Sequence, residues 1–270
     1  MTQLDTPPVR TARTSARPRR RFDLRVLSVL AVVVVLAAWY LLTDLLKIVP
    51  DLYFPSIAST VEAGKTLGGN LALDFGSTAY RMLFGWVIGC ALGVLAGLIM
   101  ARSRVAYFSV NPLIEIIRPV PPIALIPFTI LWFGLTDTQR IALAALPCFM
   151  TLAVTTMESA KNVNPLFVRA AQSLGASPNQ IYRTVVLRAI LPNLVASLRI
   201  AAALAWAVVV SAEYLGAQNG IGYLILQASN SLNTSVVLIG TATVTIGAFV
   251  FDQILRLVTK FLTRWVDRMS

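Results

Sequence analysis

The sequence predicts an all-α, polytopic membrane protein, a bundle of six spanning helices. Three observations carry this reading. Of the 270 residues, 57% are hydrophobic and 13% charged, with mean hydropathy +0.73, whereas a soluble domain is about 25% charged. The apolar residues cluster: Met82–Met100 runs 19 residues without a charge and Val26–Leu42 runs 17, close to the roughly 20 residues that cross a bilayer core. The cationic residues fall in the gaps between such runs, with a strong alternation from gap to gap.

Taken in order, the spans are placed at about 24–46, 77–100, 111–133, 140–158, 194–214 and 235–256. An even number puts both termini on one side. That side then holds the seven arginines of Arg10–Arg25, Arg102, Arg104, Arg118, the five Lys/Arg of 161–199 and the four from Arg256 to Arg268. The other side keeps Lys47, Lys65, Arg81 and Arg140. A split of 19 to 4 predicts that both termini are cytoplasmic. The same distribution explains the net charge of +11 without a nucleic-acid partner. Residues 1–21 are polar and rich in Arg and Pro, and are predicted to form a disordered basic cytoplasmic arm. Residues 22–270 are predicted to form the six-span domain. The first apolar run is longer than a signal-peptide core and is followed by Asp44 and Lys47 rather than a small-x-small exit, which predicts an uncleaved first span.

Several chemistries are excluded. There is no His, which removes imidazole acid–base work, Ser-His triads and His metal sites. Cys90 and Cys148 lie inside apolar runs without CxxC spacing and are predicted to be packing thiols rather than a metal site or a disulfide. No catalytic or metal-binding residue is assigned. There is no G-x-x-x-x-G-K-[ST] phosphate loop, so the chain cannot hydrolyse ATP by that route.

The second span carries Gly85, Gly89, Gly93 and Gly97 on one helical face. Missing side-chain bulk lets another helix approach closely there, within the chain or in a second subunit. The third span contains Pro119, Pro121, Pro122 and Pro127 and cannot be a regular helix. Broken helices at membrane depth line wet cavities or transport paths. Glu115 and Arg118 are three apart. They can form an interfacial ion pair, or Arg118 can attract an anion near a path.

Segment 160–192 is the long loop on the inner side. Asn164-Pro165 and Ser177-Pro178 read as two helix starts, with Gln180 completing a capping box at the second. Leu166, Phe167, Ala170, Ala171 and Leu174 share one face, and Gly175 fits a left-handed helix end. The pattern suits a docking knob or a plain amphipathic connector. Beyond the fifth span, Gly216, Gly220 and Gly222 permit sharp turns, and Tyr223–Ala228 suits a short helix. Glu213 can pair with a basic neighbour or snorkel to the interface. Residues 50–66 suit an outer surface helix.

Arg169-Ala-Ala-Gln-Ser-Leu-Gly175 resembles the EAA loop of permease subunits of bacterial binding-protein-dependent ABC importers. The family pattern is E-A-A, three residues, G, nine residues, then I-x-L-P. Ala170, Ala171 and Gly175 match it, and Val185 and Leu187 stand at the I and L positions. Arg169 replaces the Glu and Arg188 the Pro; a Pro follows at Pro192. Arg at the first position is familiar in the sulfonate/taurine/nitrate-type branch. Arg118-Pro-Val-Pro-Pro-Ile-Ala…Ile126-Pro127…Trp132-Phe133-Gly134 and Ala212-Glu213…Gly220-Ile-Gly222-Tyr resemble that branch too. The resemblance covers about residues 50–265.

It implies a type I ABC importer permease fold in the bacterial inner membrane. Arg169, Ala170, Ala171, Leu174 and Gly175 would form a coupling helix docked in a cytoplasmic ATPase subunit. Glu115, Arg118, Pro119, Pro122 and Glu213 would border the translocation path. The implied partners are two ATPase chains holding ATP and Mg, a periplasmic or lipid-anchored substrate-binding protein, membrane lipid and a second permease copy, a homodimer. No cofactor is expected in this chain. Taurine or another sulfonate is the first substrate expectation; nitrate, bicarbonate, an aromatic acid or a thiamine-precursor pyrimidine are alternatives. A secondary transporter would need intramembrane carboxylate relays, but Asp44, Asp74, Glu115, Glu213 and Asp252 fall mostly near span ends. A membrane enzyme is disfavoured by the missing His and the lack of paired catalytic residues.

Overall fold

The computed structural model describes residues 24–46, 50 and 52–262; the arm expected over 1–21 lies outside them. All regular structure among the described residues is helical. α1 (Leu24–Tyr40) continues into a π turn, Leu41–Leu45, and Trp39 Nε1 donates to the Pro55 carbonyl at 3.1 Å. α2 (Ile57–Arg102) starts at Ser56, whose hydroxyl accepts from the Ser59 N–H. Its backbone breaks at Gly68 (φ 49°, ψ −126°). The surface helix expected over 50–66 is therefore the first arm of α2, and the second span is the arm beyond the break. Ser103 ends α2 and caps α3 (Arg104–Ile117), accepting from the Ala106 N–H.

The third span departs from a single rod over 111–133. After α3 the chain turns through Arg118–Pro121, makes one 3-10 turn (Pro122–Leu125) and enters α4 (Ile126–Phe133), bent by 94° from α3. The cause is local: Pro119, Pro121 and Pro122 lack N–H donors, and each restricts the residue before it.

Thr136 caps α5 (Asp137–Lys161). Next come α6 (Pro165–Ser173), α7 (Pro178–Ile181) and a π turn, Tyr182–Val186, that runs without interruption into α8 (Leu187–Glu213). α9 (Ile221–Asn230) covers the short helix expected at 223–228, and α10 (Thr234–Leu262) ends the described chain. By length and composition, four described helices can cross a membrane: α2, α5, the α7–α8 rod Pro178–Glu213 and α10; the bent α3–α4 pair makes a fifth. The first expected span is α1 with its π turn, of which Val33–Leu45 is apolar but shorter than that criterion.

The glycine face of α2 packs against α5 of the same chain, which decides between its two readings. A Cβ added at Gly85 would stand 2.7 Å from Ala144 Cβ; at Gly89, 2.7 Å from Cys148 Cβ; at Gly93, 2.8 Å from Leu152 Cβ; at Gly97, 2.6 Å from Thr156 Cβ. Real carbons do not approach so closely, so only glycine permits this spacing. Cys90 and Cys148 are buried in the same core as free thiols. α8 packs on α5 through Ala201, Ala205, Val209 and Ala212. One end of the bundle carries α6 and α7, the knob end. The opposite end carries the starts of α5 and α9 and the end of α8.

Gly89→Val should therefore cost several kcal/mol, above the ~1–3 kcal/mol typical of overpacking, because α5 backbone as well as Cys148 would have to move. Gly76→Val, where an added Cβ meets nothing within 4 Å, should leave the thermal midpoint of the detergent-purified protein within a few degrees. Equal midpoints for the two variants would contradict this packing.

Candidate functional site

Two built features stand at opposite ends of the bundle. At the knob end, the Asn164 side chain accepts from the Leu166 N–H at 2.9 Å, and Pro165 occupies the first turn of α6. α6 stops in a Schellman turn: the Gly175 N–H donates to the Gln172 carbonyl at 2.9 Å and the Ala176 N–H to the Ala171 carbonyl at 3.1 Å. Gly175 has φ +78°, the conformation expected there. Ser177 and Gln180 form the expected reciprocal capping box. The turn between the helices is thus held by backbone bonds at one end and by the side chains of the capping box at the other.

Most of the apolar face of α6 is left uncovered by the described residues. Leu174 is 88% exposed, Leu166 66% and Phe167 56%. Arg169 and Ala170 are exposed beside them, and Ala171 is half-buried. The expected coupling residues thus lie together on one exposed surface. The knob is nevertheless tied to the bundle. Ile181 and Val186 are buried, Tyr182 Oη donates to the Leu98 carbonyl of α2 at 2.7 Å, and the Arg102 guanidinium lies 5.8 Å from the Tyr182 ring centroid.

At the other end a buried ion pair joins three elements. Arg81 of α2 is 3% exposed and Glu213 of α8 is 0% exposed. Arg81 Nη1 donates to Glu213 Oε1 at 2.6 Å and to the Asn219 carbonyl at 3.0 Å. Its Nη2 donates to Asn219 Oδ1, and its Nε to Asp137 Oδ1 at 2.7 Å. Glu213 also accepts from Thr78 Oγ1 at 2.9 Å and from the Gly222 N–H at 2.9 Å. Asp74 accepts from the Gly220 N–H at 2.8 Å, and Arg140 Nη2 donates to the Gly216 carbonyl at 2.9 Å. The two glycines follow from the carboxylate: a Cβ at Gly222 would stand 2.7 Å from Glu213 Cβ, and one at Gly220 2.5 Å from Glu213 Oε1. Of the two roles open to Glu213, pairing with a basic neighbour is the one formed, and the carboxylate holds three elements together.

The other residues expected along a path, Glu115, Arg118, Pro119 and Pro122, sit at the end of α3 and the α3–α4 break. Arg118 and Pro119 are exposed and Pro122 is half-buried. The Glu115–Arg118 pair is not formed. Glu115 accepts from Asn111 Nδ2, one turn earlier on α3, at 2.6 Å, while Arg118 stands just past the helix end. Asn111, Glu115 and Arg118 share a cavity of about 250 Å³ with Glu158, Lys161 and other residues of α3 and α5. Arg81, Asp137, Thr78 and Asn219 were not singled out from the sequence as site residues. Thr78 and Arg81 lie three apart on α2, but nothing local links them to Asp137, Asn219 or Glu213, and only the fold brings these together.

Removing one side of the buried pair leaves an uncompensated charge, at a cost of about 3–5 kcal/mol. Arg81→Met should lower the thermal midpoint more than Glu213→Gln, and the double variant Arg81→Met/Glu213→Gln, which keeps an acceptor for Thr78 and the Gly222 N–H, should recover part of the loss. A double variant no more stable than Arg81→Met would contradict the pairing.

Residues 91–264 match the family of binding-protein-dependent transport system inner membrane components. The chain is 32% identical over 246 residues to the taurine transport system permease protein TauC of Escherichia coli (strain K12), covering 88% of this chain and 89% of that one. It is 31% identical over 252 residues to the putative aliphatic sulfonates transport permease protein SsuC of the same organism, covering 93% and 95%. A solved bacterial alginate ABC transporter, in complex with an alginate pentasaccharide-bound periplasmic protein, has a chain of the same fold, with a TM-score of 0.58 at 14% identity over 90% of this chain and 96% of that one. The chain therefore belongs to the binding-protein-dependent transport system inner membrane components, as a multi-pass permease subunit of an ABC importer of the sulfonate/taurine/nitrate branch, whose ATPase is a separate subunit.

Proposed function

We propose that this permease carries taurine or another small sulfonate, received from a binding protein, and that α6 is its coupling helix. The observation that carries the coupling assignment is the uncovered apolar face of Leu166, Phe167, Ala170 and Leu174 on a helix whose ends are both fixed by hydrogen bonds. The similarity to TauC and SsuC supports the substrate class. Two ATPase chains, holding ATP and Mg, would each receive one α6, with the permease as a homodimer. Both termini would then be cytoplasmic, as the Lys/Arg distribution favours.

The stiffness of the connection supports a lever. From Pro178 to Glu213 the chain forms one 36-residue helical rod, about 54 Å long at 1.5 Å per residue. A push on α6 enters the rod through the Schellman turn and capping box. Tyr182 passes it to α2, and Glu213 at the far end passes it to Arg81 and to the backbone of Gly222. Motion of the ATPase pair would thus reach the segment between α8 and α10, where a binding protein would dock.

The direct test is uptake of labelled taurine by vesicles holding permease, ATPase and binding protein. ATP-dependent accumulation, competed by alkanesulfonates and not by nitrate, is expected; accumulation competed by nitrate alone would overturn the sulfonate assignment. Gly175→Val forces a β-branched residue into a left-handed turn, at about 1–2 kcal/mol. It should leave ATP hydrolysis running while uptake falls at least tenfold, and normal uptake would contradict the account of this turn. Leu174→Asp should cut co-purification of the ATPase at least tenfold with no change in thermal midpoint, because the side chain touches little of its own chain; undiminished co-purification would contradict docking on this face.

A further inference from the structure

We propose that the cavity between α3 and α5 is a subsite for a small zwitterion, an acid oxyanion joined by a short chain to an ammonium group. The inference rests on the sulfonate reading above and narrows it to amino-sulfonates. The cavity holds about 250 Å³, several times the roughly 30 Å³ that a water molecule occupies in the liquid. It suits a ligand of a few heavy atoms.

Its charged lining divides into engaged and unengaged groups. Glu115 accepts from Asn111 at 2.6 Å, and the Lys161 ammonium lies 3.3 Å from the Tyr107 ring centroid. Arg118 and Glu158 line the same space and, among the described residues, neither side chain has an ion pair or a hydrogen bond. An unengaged guanidinium and an unengaged carboxylate therefore face one small cavity from different elements. The guanidinium fork matches a planar or tetrahedral oxyanion in a bidentate contact, and the carboxylate accepts from an ammonium group. Val154 and Met157 supply an apolar wall for the short chain between the two.

Charge balance selects the zwitterion. Two cations, Arg118 and Lys161, meet two anions, Glu115 and Glu158, so the cavity is neutral. A simple anion would gain at Arg118 and lose at Glu158; a ligand with both charges gains at each. The site lies at the knob end, where α5 finishes at Lys161 just before α6, which makes it an exit-side subsite.

The test is equilibrium dialysis of labelled taurine against the permease–ATPase complex in nanodiscs, without binding protein, beside uptake with it. Saturable binding is expected, weakened at least tenfold by Arg118→Gln and by Glu158→Gln, with thermal midpoints unchanged. Ethanesulfonate, which lacks the ammonium group, should compete at least tenfold less well than taurine. No saturable binding by a complex that does import taurine, binding unchanged in both variants, or equal competition by ethanesulfonate would each overturn the proposal. Arg118- and Glu158-dependent binding without taurine uptake would overturn the sulfonate reading and leave the subsite standing; loss of both would overturn both.

Discussion

The close approach of α2 and α5 sets the geometry of this permease. In lipid, helices gain little from hiding apolar side chains from tails that are equally apolar, so association rests on van der Waals contact, hydrogen bonds and small residues that let backbones meet. Gly85, Gly89, Gly93 and Gly97 provide that contact over four turns, each at a point where a Cβ would collide with α5. With these two helices fixed, α8 seats on the other flank of α5 through alanines. The same frame delivers Arg81 and Asp137 to one end of the bundle and Leu98 to the other.

Those two ends are built for different tasks. The Arg81–Glu213 pair is buried, and desolvation offsets most of the attraction between its charges. Its contribution is positional: one carboxylate fixes the end of α8, the start of α9 and the middle of α2 in a single hydrogen-bonded unit. The knob end is arranged the other way. Its backbone is closed by caps and a Schellman turn, while its apolar side chains are left uncovered. A rigid piece with an exposed greasy face is suited to receive force from a partner, and the rod that leads away from it is anchored at its far end.

The knob was legible in the sequence because its signals are local. Caps, a glycine stop and a period of about four residues act within a dozen positions, and each appears in the structure where expected. The glycine face of α2 was half legible: its spacing announced a close contact but carried no information on the partner. The break in the third span was legible from its prolines, while of the two readings of Glu115 and Arg118 the ion pair is not formed: Arg118 keeps helical backbone angles at the end of α3, but Glu115 is engaged by Asn111. The Glu213 network was illegible beyond Glu213 itself. Glu213 lies more than 130 positions from Thr78 and Arg81 and Asp137 lies 56 from Arg81, so no local pattern links partners that only tertiary packing brings together.

The exposed stripe of α6 is best tested in assembled transporters by cysteine cross-linking to the ATPase subunit, one position at a time along the helix. Phe167→Cys and Leu174→Cys, on the apolar face, should cross-link efficiently, and Gln172→Cys, on the opposite face, should not. Equal cross-linking from Gln172→Cys and Leu174→Cys, or labelling of both apolar positions by a membrane-impermeant thiol reagent added from the periplasmic side, would contradict the assignment of this helix as the surface through which the importer is driven.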